Sequence, residues 1–343
     1  MDGMDGMAGM GDGAGALPPL DWGTFFSTWE LKPVWLAVAV VLLGGYLAGR
    51  VAAGPRSTVR RWRVVTFGLG VVLLWVCVAS AIGTYAMSLF WMHMVLHLSL
   101  IMVVPALLVL GHPLTVLVEA FPADRQPRVR AALRSWPVSV LTHQTTGLLL
   151  YAVVIIGTHL TGFMDQMAQH AWLMTGEQVL YVGAGYLFLL PLLGEEPIRA
   201  NPSYLLRVMI LVVAMIPDTV VGIVLLQTDH VPFPVMMSMH PAWAPDPLTD
   251  TQTAGALMWA AGDGLMMAIG IGLWISVLSS PSRRSRVVGT WLEGVRRATL
   301  VEHVEQSGAQ PLSREDADLI DADSDEALDA YNRMLARLRD QEA

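Results

Sequence analysis

The sequence is poor in charge and nearly devoid of thiols. Only 15% of its 343 residues are Asp, Glu, Lys or Arg, and it has one cysteine, Cys77, and one lysine, Lys32. A soluble domain carries nearer ~25% charged residues, so an ordinary cytosolic globule is excluded. A lone cysteine cannot staple a small secreted domain, and no basic excess exists for binding nucleic acid. A retinal Schiff base needs a lysine inside a span, whereas Lys32 stands at the start of the first apolar run. What abounds is apolar, 54% of the chain, which also excludes a disordered polypeptide. The class that remains is a polytopic membrane protein.

Charge divides the chain in two. Residues 302–343 hold twelve Asp/Glu against four Arg, which accounts for the whole net charge of −8, and the first 301 residues are balanced. The N-terminal MDGMDGMAGMGDGAG has neither a basic nor an apolar signal region, so insertion is expected to use the first span.

A helix needs roughly 20 apolar residues to cross a hydrocarbon core of about 30 Å. Seven stretches qualify, near Leu31–Ala53, Trp62–Thr84, Trp91–Leu110, Val138–Leu160, Trp172–Leu193, Tyr204–Gln227 and Thr253–Leu278. Arginines follow spans one, three and seven (Arg56, Arg60, Arg61 and Arg63; Arg125, Arg128, Arg130 and Arg134; Arg283, Arg284 and Arg286), and Arg199 and Arg207 flank the start of span six. The alternate connections carry no Lys or Arg. The positive-inside rule therefore predicts an all-α seven-helix bundle with the N-terminus outside and the C-terminus cytoplasmic. Three regions are expected. Residues 1–30 form a flexible, Met-rich extracytoplasmic arm, 31–280 the membrane domain, and 281–343 a basic interfacial segment followed by an acidic, amphipathic tail.

In that orientation six of nine histidines lie at the outer side. His93 and His97 are spaced i, i+4, which puts both imidazoles on one helix face and suits two ligands of one metal. The same pair also fits histidines bonded to backbone or interfacial water. Ionisable groups inside a membrane are costly and face a bundle interior or a wet cavity. Glu177, Asp218 and Asp263, together with Cys77, all fall in the outer halves of their spans. Asp218 beside Pro217 also suits a protonated acid bonding to carbonyls that the proline frees, and Cys77 a small core hydrophobe. The arm repeats Met4, Met7 and Met10 at every third residue after Met1, a pattern that also fits low-complexity sequence with no role, and Met236, Met237, Met239 and His240 repeat thioether and imidazole in the third outer connection. This donor set favours copper, as Cu(I), over zinc, calcium or magnesium. Haem is the rival: it needs axial ligands from opposite faces, so His93 or His97 would require a partner such as His159.

Three segments resemble one family. MHMVLHLSLIMVVPALLVLGHPL (Met92–Leu114) is similar to the histidine-rich span of CtaG-type cytochrome c oxidase assembly factors. GYLFLLPLLGEEP (Gly185–Pro197) and DTQTAGALMW (Asp250–Trp259) resemble two further blocks of that family, especially its actinobacterial members. The resemblance covers roughly Trp62–Pro281. It implies a non-catalytic, multi-pass protein of the bacterial plasma membrane that matures the haem-copper oxidase by handling copper for an oxidase subunit. The family's histidines carry over to His93, His97, His143 and His159, and its polar pair to Asp250 and Gln252. Where relatives place histidine in span five this chain has Gln178 and Leu180 beside Glu177, and in span six it has Asp218.

The expected metal set is therefore His93, His97, His159, Glu177, Asp218, Cys77, Met4, Met7 and Met10. Two other functions fit the residues: a copper permease using Asp218 and Asp263, and a membrane enzyme, either a metal hydrolase or a haem oxidoreductase. In the tail, RRSRVVGTWLEGVRRATLVEH with Trp291 reads as an interfacial segment. Ser313 with Asp316 resembles a capping box, and Leu328, Tyr331, Leu335 and Leu338 line one helix face that suits a cytoplasmic partner or a solvated helix.

Overall fold

The computed structural model of the chain describes residues 17–279 together with Asp329, Asn332, Arg333, Ala336 and Arg337. Met4, Met7, Met10, the interfacial segment with Trp291, the box at Ser313 and the apolar tail positions Leu328, Tyr331, Leu335 and Leu338 lie outside the described residues. The five described tail positions are helical and exposed. The chain divides into two units, Met1–Gly270 and Ile271–Ala343.

Among the described residues the architecture is all-helical, with one isolated antiparallel bridge between Trp29 and Ser80. The order is α1 (Trp22–Ser27), α2 (Pro33–Ala53), α3 (Arg61–Ala79), α4 (Ala81–Tyr85), α5 (Phe90–Leu98), α6 (Val104–Leu110), α7 (Pro113–Glu119), α8 (Gln126–Leu133), α9 (Trp136–Leu141), α10 (Gln144–His159), α11 (Phe163–Gln169), α12 (Ala171–Leu193), α13 (Tyr204–Leu226), α14 (Pro234–Met237) and α15 (Pro247–Leu278). Among the described residues six helical stretches are long and apolar enough to cross a membrane, and α10 with α11, bent by 68°, makes a seventh if counted as one span. Val40, Val65, Leu149, Val153, Val212 and Met267 point outward. Apolar side chains around the outside suit lipid, not water.

The spans depart from simple rods where side chains or prolines intervene. Span two was expected to reach Thr84, but its helix stops at Ala79, because Ser80 turns extended (φ −89°, ψ −172°) and its hydroxyl caps the Ile82 N–H. Span four splits at Thr142, and α10 begins at its own cap, His143, whose Nδ1 accepts from Thr145 N. Span three opens into a π-helical turn, Ser99–Val103, between α5 and α6. Pro105 has no N–H for the Ile101 carbonyl four residues back, and its ring crowds that oxygen, which widens the turn. Gly185 of α12 packs directly on the Ile101 carbonyl, where any Cβ would collide. His112 takes a left-handed conformation (φ 56°), since a residue preceding proline is disfavoured in the right-handed helix region.

Buried carboxylates tie the connections together at one end of the bundle, and scattered side-chain hydrogen bonds at the other. At one end Glu119 accepts from Ser57 Oγ (2.6 Å) and Thr58 N (3.0 Å), and Glu196 from Leu114 N (3.1 Å) and Thr115 N (2.9 Å). These contacts gather the arginine-bearing connections. At the other end the connections without Lys or Arg meet: Asp165 accepts from Val235 N (3.0 Å), Gln252 Nε2 donates to Thr228 O (3.0 Å), and Tyr85 Oη donates to Pro18 O (2.8 Å).

Candidate metal centre

The second end holds the histidine cluster. Its foundation is the start of α5, where no residue of the local chain caps the helix. Asp250, near the start of α15, reaches across and accepts from Phe90 N (2.8 Å) and Trp91 N (3.1 Å). A carboxylate at a helix N-terminus satisfies two orphan donors and complements the helix dipole. One turn further along α5 stand His93 and then His97, both buried, with ring centroids 3.8 Å apart.

Two other helices supply partners. His159, the last residue of α10, places Nε2 3.2 Å from His97 Nδ1. Its Nδ1 faces the Ile155 carbonyl at 2.9 Å, which can only accept, so Nδ1 carries the proton and Nε2 presents its lone pair to the cluster. This is the arrangement that orients a metal-ligating imidazole through its other nitrogen. Glu177, two turns into α12, brings Oε2 to 3.2 Å from His97 Nε2 and 3.8 Å from His93 Nε2. Tyr181, one turn beyond Glu177 on the same face, stacks on the His97 ring at 4.1 Å and lies 2.5 Å from Thr158 Oγ1.

The donor set can be tested for fit to a cation. One ligand atom from each of His93, His97 and His159 falls within 4.8 Å of the others. Both nitrogens of His93, His97 Nε2 and Glu177 Oε1 are buried without a hydrogen-bond partner. Leaving a buried polar atom unsatisfied costs about 1–3 kcal/mol; the two nitrogens of one imidazole point apart, so a shared partner could serve one nitrogen of His93 together with His97 Nε2 and Glu177 Oε1. Three imidazoles around one point, with the Glu177 carboxylate beside His93 and His97 but outside the three-histidine group, suit a divalent transition metal or copper.

Not every expected ligand comes to this point. Asp218 is fully buried on α13, but its Oδ2 accepts from Tyr151 Oη at 2.5 Å, outside the three-histidine group. The reason is height along the bundle: Tyr151 lies eight residues, about 12 Å, before His159 on α10. Asp263 pairs with Thr219 Oγ1 at 2.9 Å. Cys77 is buried on α3 and also stands outside the group. His143 caps the opposite end of α10, about 24 Å of helix from His159. His240 instead packs on Asp250, with Nε2 3.3 Å from Oδ2. Leu180 faces outward on α12, so its position removes nothing from the cluster, whereas Gln178 is buried.

Sequence reasoning missed Tyr181, Thr158 and the capping role of Asp250. Tyr181 had a signal, its i, i+4 spacing from Glu177; Thr158 had none beyond adjacency to His159.

Comparison with known proteins gives a family match. The model of the cytochrome c oxidase caa3 assembly factor family (Caa3_CtaG) matches residues 44–280. An uncharacterized protein of Mycobacterium leprae is 26% identical over 325 residues, covering 92% of this chain and 45% of the relative. Uncharacterized proteins of Mycobacterium bovis and Mycobacterium tuberculosis are each 24% identical over 323 residues, covering 91% of this chain and 44% of theirs. The chain thus spans less than half the length of these curated relatives. No solved structure matches it.

Proposed function

Since this chain belongs to the cytochrome c oxidase caa3 assembly factor family, we propose that it serves oxidase assembly by holding copper as cargo in the His93–His97–His159–Glu177 cluster and passing it to an oxidase subunit. The observation that carries this reading is the convergence of one ligand atom from each of the buried His93, His97 and His159, with the buried Glu177 carboxylate beside the first two. A cation there would take its ligands from the imidazoles and have its charge balanced by Glu177. Among divalent first-row metals, nitrogen-rich sites bind copper most tightly. The orientation expected from the arginines puts the cluster at the outer face, where an oxidase copper centre could receive the ion by ligand exchange without covalent chemistry.

Transport across the bundle has less support. Beyond Asp218, the buried face of α13 continues as Ala214, Leu211 and Ile210, and that of α12 as Ala184, Phe188 and Leu189. This apolar stretch offers a moving ion no ligands. A haem between His97 and His159 also lacks support, because imidazoles in direct contact leave no gap for a macrocycle.

The test is metal content and oxidase maturation together. Detergent-purified wild type loaded with copper should retain it through dialysis, and His93→Ala/His97→Ala should not. In cells, the double variant should lower oxidase copper content at unchanged expression. Zinc in place of copper, or oxidase copper equal to wild type, would overturn the proposal.

A further inference from the structure

At the opposite end from the histidines, a cavity of about 430 Å³ opens between α9, the start of α10 and the α12–α13 connection. Ser139, His143, Gln144, Arg199, Asn201 and Ser203 give it a polar lining, and no carboxylate is among its described lining residues. The cavity wall is held in shape. Buried Arg207 donates to Pro202 O (3.0 Å), Leu192 O (2.9 Å) and Asn201 Oδ1 (2.9 Å), which clamps the connection carrying Arg199 onto α12 and α13.

Three features give the cavity a preference for anions. Arg199 supplies a guanidinium, the side chain best matched to phosphate oxygens. His143 and Ser203 are the caps of α10 and α13, so the positive ends of two long helices meet at the cavity. The surrounding connections carry Arg56, Arg60, Arg125 and Arg134. Apolar surface begins directly beside the polar lining: Leu141 and Leu205 flank it, and Leu206 is part of it, all three exposed.

We propose that this cavity binds a phosphate monoanion carried by an anionic phospholipid, with the headgroup against Arg199, His143 and Ser203 and the acyl chains along Leu141, Leu205 and Leu206. A free phosphate ion would use the same donors but gain nothing from the apolar flank. The site is separate from the histidine centre and does not depend on how that centre is read.

The experiment is native mass spectrometry of the full chain released from nanodiscs of phosphatidylglycerol or phosphatidylcholine. Wild type should retain phosphatidylglycerol and little phosphatidylcholine. Arg199→Ala should lower that retention about tenfold, the equivalent of one charge-assisted hydrogen bond. Arg56→Ala, at the same end but off the cavity, should leave it unchanged. If Arg199→Ala folds poorly, Ser139→Trp fills the cavity without removing charge and should also displace the lipid. Equal retention in wild type, Arg199→Ala and Ser139→Trp overturns the site, and equal loss in Arg56→Ala shows diffuse attraction, which overturns it too. Displacement of phosphatidylglycerol by millimolar inorganic phosphate, with no preference between the two lipids, would overturn the lipid and leave a phosphate site.

Discussion

His97 Nδ1 stands 3.2 Å from His159 Nε2 and joins α5 to α10 across 62 positions of sequence. Two imidazole nitrogens at that separation need a proton or a cation between them, since facing lone pairs repel. His159 already commits its Nδ1 proton to the Ile155 carbonyl. The shared position is therefore filled by a proton from His97 or by metal, and a metal there would leave the His97 proton on Nε2, facing Glu177. His159→Ala is expected to weaken copper binding at least about tenfold, measured by competition with a chelator in detergent. The backbone of α10 does not need the ring, so helix content should hold. Wild-type affinity in the variant would remove His159 from the centre.

Glu177 contributes charge where His93 and His97 contribute lone pairs. A carboxylate about 3–4 Å from a cation is worth roughly 4 kcal/mol at an effective dielectric constant of 20. Glu177→Gln keeps the volume and loses the charge, so copper affinity should fall by about three orders of magnitude. The metal-free protein should be as stable as wild type or more so, because a buried charge has been removed. Retention and melting temperature, taken on the same preparation, separate the two effects. A variant that keeps its copper would reduce Glu177 to a packing role.

Asp250 acts on the centre without touching a ligand. It holds the first turn of α5 through two backbone N–H groups, and His93 lies one turn on. Asp250→Ala should cost about 2 kcal/mol of stability and lower copper retention through fraying of that turn. Asp250→Asn can still accept with its amide oxygen and should cost about half as much. His240→Ala leaves both cap bonds in place and should be milder than either. Thermal unfolding in detergent gives the order, and a wild-type melting temperature in Asp250→Ala would show that α5 does not depend on the cap.

Hydropathy made the spans legible, because crossing hydrocarbon demands long apolar runs whatever their neighbours. The i, i+4 spacing of His93 and His97 likewise fixes a shared helix face by local geometry alone. Convergence with His159 and Glu177 depends on α5, α10 and α12 lying side by side, which no local pattern encodes. The breaks at Ser80 and Thr142 were hidden for a related reason: a capping hydroxyl and a capping imidazole set them, not a loss of apolar character. Asp218 and Glu177 look alike in sequence, as acids in the outer halves of their spans. Depth along the bundle separates them, with Asp218 beside Tyr151 and Glu177 among the histidines.

The root of the N-terminal arm is fixed beside the centre. Trp243 Nε1 donates to Leu17 O at 2.9 Å, Tyr85 holds Pro18 O at 2.8 Å, and Leu17 and Leu20 pack in a cluster with Trp91 and Val95 of α5. Met10 precedes Leu17 by seven residues, at most about 24 Å of extended chain, which is within reach of the histidine end. A tethered thioether raises the local concentration of captured Cu(I) without changing the number of final sites. Deleting residues 1–16 should therefore slow copper loading about tenfold at limiting copper and leave the copper bound at saturation unchanged. Replacing Met4, Met7 and Met10 with leucine keeps the chain length and should reproduce the slowing. If the leucine variant loads at the wild-type rate while the deletion does not, the arm contributes through its length or its anchor, and the methionines are not collectors.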